Sequence, residues 1–106
     1  MAITQTLTDT FKQDCLDGAH NLGTSGDTLK IALYTSSASL GATTSAYTTS
    51  NEVSGTGYTA GGATLSSQAV SYDSSNNVAF FDAADPSWSS ATITARGALI
   101  YNNSKS

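Results

Sequence analysis

The chain reads as a mainly β protein: an N-terminal amphipathic helix followed by a small antiparallel β-sandwich or partly closed barrel of about six strands. Three observations predict this. Apolar residues recur at helical spacing only near the start, between Thr6 and His20. From Leu29 onward the period shortens to that of strands, in brief runs rich in Val, Ile, Thr, Phe and Tyr. Between those runs lie clusters of Gly, Ser, Asn and Asp, the residues of turns. A chain of 106 residues makes one domain. We divide it into a helical segment (1–23), a β domain (24–102) and a polar tail (103–106) that is expected to fray.

The helix comes first. Leu7, Phe11, Cys15 and Ala19 fall four apart with Leu16 beside them, so one face is apolar. Lys12, Gln13 and Asp17 form the polar face, and the apolar one has to lie on something. Thr6 or Thr8 serves as N-cap, with Asp9 suited to the positive end of the helix dipole. Gly18 or Gly23 ends the helix. Cys15 is expected to be a small buried apolar residue, and as the single cysteine it makes no internal disulfide.

After a turn at Thr24–Asp27, Leu29–Tyr34 is a strand with Leu29, Ile31 and Leu33 on one face and Lys30, Ala32 and Tyr34 on the other. Residues 35–50 are a long Ser/Thr/Ala-rich connection, with Leu40 and Tyr47 as the larger side chains. Such a length without evident structure marks a functional or partner-ordered loop, and it is the first candidate contact loop. Residues 51–62 carry four glycines, Gly55, Gly57, Gly61 and Gly62, where the backbone turns sharply or approaches another segment closely. This stretch lacks the Gly-Lys-Ser/Thr ending of a phosphate-binding loop. Residues 63–72 hold one or two strands, Asp73–Asn77 a turn, and Val78–Asp82 a strand, giving a hairpin. Asp85 and Pro86 break the chain before Trp88. Ala91–Ala95 is a further strand, and Ala98–Tyr101 continues it or starts the last one, with Gly97 a bulge or bend between them.

Composition excludes several functions. Charged residues make up 11% of the chain and the net charge is −4, with four basic residues scattered, so nucleic acid is not an expected partner. No apolar run approaches the roughly 18 residues of a membrane span. The opening Met1–Thr6 has neither the basic nor the apolar region of a signal peptide. One histidine, His20, does not hold zinc alone, and no metal or cofactor is expected. Asp82 and Asp85 are the one plausible carboxylate pair, but both sit where turns place aspartates, and a sugar cleft needs more aromatics than one Trp. There is no Gly-x-Ser-x-Gly and no histidine placed to serve a nucleophile. The chain is read as a non-enzyme.

What remains points to architecture and binding. Arg96 is the single arginine and lies in an apolar strand region; Glu52 is the single glutamate and stands just before the glycine loop. A guanidinium there calls for a carboxylate, so Arg96 is expected to pair with Glu52 or Asp82 and pin the glycine loop to the sheet, unless it is a solvated edge residue. Trp88 and the tyrosines Tyr34, Tyr47, Tyr58, Tyr72 and Tyr101 combine an apolar body with a polar tip, which suits core and interface alike, and among them Tyr47, Tyr58 and Trp88 stand out. With Gly61 and Gly62 these are the candidate structural or interface residues.

Three blocks carry a resemblance: Leu29–Ala38, Asn51–Gly62 and Trp88–Asn102, preceded by the short helix with Phe11 and Leu16. Together, in this order, they resemble a family of small virion structural proteins of tailed bacteriophages, many of them infecting cyanobacteria or marine bacteria. The resemblance spans nearly the whole chain. It implies a virion component assembled in the bacterial cytoplasm, with a capsid decoration or cement role as the leading expectation. Its partners would be the major capsid protein or other virion proteins, and it would form a homo-oligomer, for which a trimer is the guess. The alternative is a neck, tail or fibre component, including a receptor-binding module.

Overall fold

The computed structural model describes residue 3 and residues 5–104. Lys105 and Ser106, the end of the expected tail, lie outside them. The element order is α1 (Asp9–Leu16), β1 (Leu29–Tyr34), β2 (Ala63–Thr64), β3 (Ala69–Asp73), β4 (Val78–Asp82) and β5 (Gly97–Asn102). The fold is mainly β, with two small antiparallel sheets and one short helix. The first sheet has the order β2-β1-β5; the second is the β3-β4 hairpin. No strand of one sheet pairs with a strand of the other, so the described strands do not close into a barrel.

β1 and β5 pair along their whole length, from Leu29 opposite Asn102 to Tyr34 opposite Gly97. Directly opposed residues share a face. One face therefore holds Ala32, Tyr34, Leu99 and Tyr101, and the core forms there: Ala32 and Tyr34 are fully buried and pack with Ala38 and Leu40. Leu40 also bridges to Ile3. The cover on this face comes from the 35–50 connection. The chain itself orders that segment through Ala38, Leu40 and Tyr47 and through the Tyr34 hydroxyl, which donates to the Thr48 carbonyl at 2.7 Å. Whatever contacts its polar residues make, this loop is ordered from within the chain, since its apolar residues are the lid of the core.

The opposite face carries Leu29, Ile31, Leu33, Ala98, Ile100 and Asn102 by register. Leu29 is buried, while Ala98 is exposed and Ile100 is 56% exposed.

The helix is shorter than the apolar spacing suggests, and none of its residues is buried. Thr8 is its N-cap, accepting from the Phe11 amide. It ends in a Schellman motif: Gly18, at φ +74°, donates to the Cys15 carbonyl and Ala19 to that of Asp14. Leu7 and Leu16 are exposed, Cys15 is exposed as well, and no strand contacts α1. Of the expected stripe only Phe11 finds a clear partner, the His20 ring, with centroids 5.0 Å apart.

Three further expectations change. Ala91–Ala95 is not a strand: it follows an irregular path, tied at the Thr92 amide to the Thr56 carbonyl. The last strand begins at Gly97 itself. The start of the polar tail is anchored, because Asn103 donates to the Thr28 carbonyl and the Ser104 hydroxyl accepts from the Thr28 amide.

Candidate functional site

The candidate residues converge on one carboxylate. The β1 ladder continues past Tyr34, where Glu52 bridges to Tyr34 and the Val53 amide donates to the Leu33 carbonyl. This extension holds Glu52 at the rim of the core. Its Oε1 accepts from the Tyr47 hydroxyl at 2.6 Å. Its Oε2 accepts from the Tyr58 hydroxyl at 2.5 Å and from the Gly61 amide at 2.8 Å. Tyr58 is bound twice, since its oxygen also accepts from the Leu33 amide at 3.0 Å. Tyr101 stacks on Tyr47 at 4.7 Å and donates to the Gly61 carbonyl at 2.7 Å. Gly61 is thus held through both its amide and its carbonyl.

The glycine loop is shaped for this position. Gly62 has φ +83°, and a Cβ there would fall 1.8 Å from the Ile31 carbonyl oxygen. No side chain fits where the loop runs up against the backbone of β1 just before β2. Gly57, at φ +88°, leaves its room to Ala91, whose Cα lies 2.6 Å from where a Cβ would stand.

The electrostatics follow from the geometry. Burial, and then the hydrogen bond to Glu52, push the Tyr47 phenol up, and the same causes push Tyr58 up to about 12. Burial raises Tyr34 and Tyr101 in the same direction. An ionised phenol beside this carboxylate would be a second negative charge in a half-buried site.

Arg96 does not take part. The expected pairing with Glu52 or Asp82 is absent: Glu52 is occupied by two phenols and an amide, and Asp82 accepts from the neighbouring Ala83 amide. Arg96 is exposed, its guanidinium meets no partner among the described residues, and its backbone amide alone docks, on the Tyr34 carbonyl. Trp88 is half-buried and packs on Tyr58 with ring centroids 5.8 Å apart. The structure thus brings together Glu52, Tyr47, Tyr58 and Gly61, sets Gly62 and Trp88 against them, and leaves Arg96 outside.

Tyr34 and Tyr101, which the sequence offers only as core or interface aromatics, join this knot. The sequence reading passed over a second polar cluster, in which Asn102 Nδ2 lies 2.8 Å from both Asp27 Oδ2 and His20 Nδ1. The histidine's other nitrogen lies 3.7 Å from Asp14. The cluster ties the residues after α1 to the end of β5.

Chemically, both Glu52 oxygens are engaged by donors fixed within the chain, which is the arrangement of a clamp. Among the described residues no three His, Cys, Asp or Glu side chains gather as a metal site would require, and no helix is long and apolar enough to cross a membrane. No family model, curated protein or solved structure matches the chain.

Proposed function

We propose that this protein is a non-enzymatic structural subunit of a tailed-phage virion, acting as a capsid decoration or cement protein on the outside of the head shell. The resemblance of the Leu29–Ala38, Asn51–Gly62 and Trp88–Asn102 blocks supports the virion assignment. The observation that carries the binding role is the exposed apolar surface: Val70, Tyr72, Val78, Phe80 and Ile100 are each about half exposed or more. A surface of this kind, poor in charge and rich in hydroxyls, costs little to desolvate against a protein partner. A subunit that binds only the assembled shell stabilises it by mass action. In this reading the subunits are homo-oligomeric, and the small sandwich that the sequence suggests is completed between chains, since each one supplies two separate sheets.

Phe80 shares a face of the hairpin with Asp73, next to the turn that holds Asn76 and Asn77, and Tyr72 stands on the other face. Exposed aromatics beside polar amide and acid groups suit a glycan, so a receptor-binding tail or fibre module is the second reading.

Copy number separates the two. Purified particles should contain this chain in amounts close to those of the major capsid protein, and shells lacking it should burst at lower temperature. A few copies per particle with unchanged shell stability would reject the cement role in favour of the tail.

A further inference from the structure

The β3-β4 hairpin is an unusual element for a soluble chain. It has only two strands, and such a hairpin is marginal in water without further packing. Its outer edges are both unpaired within the described residues. Its base is well fixed: the Ala84 amide donates to the Ser66 carbonyl, and Gln68 Nε2 donates to the carbonyls of Gly23 and Asp27 at 2.9 and 3.0 Å. Beyond that base it pairs with no other strand. The register puts Val70, Tyr72, Ala79 and Phe81 on one face. That face carries no charge, and Val70 and Tyr72 on it are 54% and 75% exposed. Both aspartates of the hairpin, Asp73 and Asp82, fall on the other face.

A surface that matches it exists on the same molecule. On the side of the β1-β5 sheet away from Ala32 and Tyr34, Ala98 and Ile100 are exposed beside the half-buried Ile31 and Leu33, likewise without charge. Two uncharged apolar faces meet without desolvating an ion, and a chain of net charge −4 approaches its own copy best through them.

The area agrees. The chain exposes 6857 Å², whereas a compact monomer of its 10.8 kDa mass is expected to expose about 5,500 Å². The surplus of about 1,300 Å² exceeds the roughly 800 Å² that one partner contributes to a standard stable interface. The radius of gyration, 14.5 Å, is likewise above the roughly 13 Å of a compact chain of this length.

We infer that the protein self-associates by docking the Val70/Tyr72 face of its β3-β4 hairpin onto the Ile31/Leu33/Ile100 sheet face of a second copy. The inference rests on the reading of the chain as an assembly subunit and is independent of which particle, if any, it decorates.

Sedimentation of the purified chain alone across a dilution series tests it. The wild type should run at a multiple of the single-chain mass. Tyr72→Glu and Ile100→Glu each place a charge on one of the two surfaces, at positions already exposed in the single chain, and should each weaken association about a hundredfold. Circular dichroism matching the wild type confirms that both are folded. Mixing them is the decisive step. The Tyr72→Glu copy keeps a sound sheet face and the Ile100→Glu copy a sound hairpin, so the equimolar mixture should regain paired species that neither forms alone. Phe80→Glu, on the opposite hairpin face, should keep the wild-type mass. A monomeric wild type, a mixture that stays monomeric, or dissociation by Phe80→Glu overturns the proposal. Association in solution with no incorporation into particles would leave it standing and count against the virion reading instead.

Discussion

Tyr58 and Tyr47 bind the same carboxylate, yet they are not equivalent. Removing the Tyr47 hydroxyl deletes one hydrogen bond to a charged acceptor, a loss of about 2 kcal/mol. Removing the Tyr58 hydroxyl also strands the Leu33 amide in the middle of the sheet, and the cost should be about 3 kcal/mol or more. Urea denaturation of Tyr47→Phe and Tyr58→Phe should therefore rank Tyr58→Phe as the more destabilised. Equal losses would mean that the Leu33 contact contributes nothing. The raised phenols also set a pH dependence. A group whose folded pKa lies above its unfolded value stabilises fully below the unfolded value and loses that contribution as pH climbs through the folded one. For Tyr58 the window runs from the ordinary value of 10.0 to about 12. Stability should hold up to about pH 10 and then fall, and melting curves across that range should fall less steeply for Tyr58→Phe. The members of this knot were partly legible in the sequence: Glu52 stood out as the single glutamate, and Tyr47, Tyr58 and Gly61 as candidates beside it. Their pairing was not. Counting charges directs Glu52 toward Arg96, but the fold places phenols from two loops around it, and composition carries no information on such non-local hydrogen bonding.

At the level of elements, legibility followed how locally each one is determined. β1 and β4 have the bounds that their alternation suggests, and the tight turn between β3 and β4 marked the hairpin. The Thr8 cap and the Gly18 stop are local signals too, and they bound a helix shorter than the apolar spacing implied. That spacing over-extended α1 because Leu7 and Ala19 share the period without sharing the hydrogen bonds. Ala91–Ala95 shows the converse. Its β-branched alternation is a strand pattern, but a strand exists only with a neighbour, and here the chain bends to meet Gly55 and Gly57. Which face of β1 carries the core was not decided by its sequence. Its larger aliphatics, Ile31 and Leu33, lie on one face, whereas the cover supplied by residues 35–50 lies over Ala32 and Tyr34. A small alanine there lets Leu40 and the loop approach closely, and the single large buried side chain, Tyr34, fills the remaining space.

For the molecule as a whole, the question is what compensates a small core. The fully buried apolar residues among those described are few and mostly small, while ordering each residue costs about 1–2 kcal/mol of backbone entropy. The Glu52 knot and the close glycine approaches tighten one end of the sheet, where Tyr34, Tyr47, Tyr58 and Tyr101 pack. The hairpin and the far face of β1-β5 hold apolar surface that contributes only once it is covered. If a second copy covers it, folding and association are linked, and the melting temperature depends on protein concentration. For two chains of this length unfolding together, a tenfold rise in concentration should raise the midpoint by about 3 °C. Scanning calorimetry over two decades of concentration would show it, and Tyr72→Glu should flatten the dependence while lowering the midpoint at high concentration. A wild-type midpoint that stays constant over that range would show that the monomer carries its own stability and that the exposed faces serve a different partner.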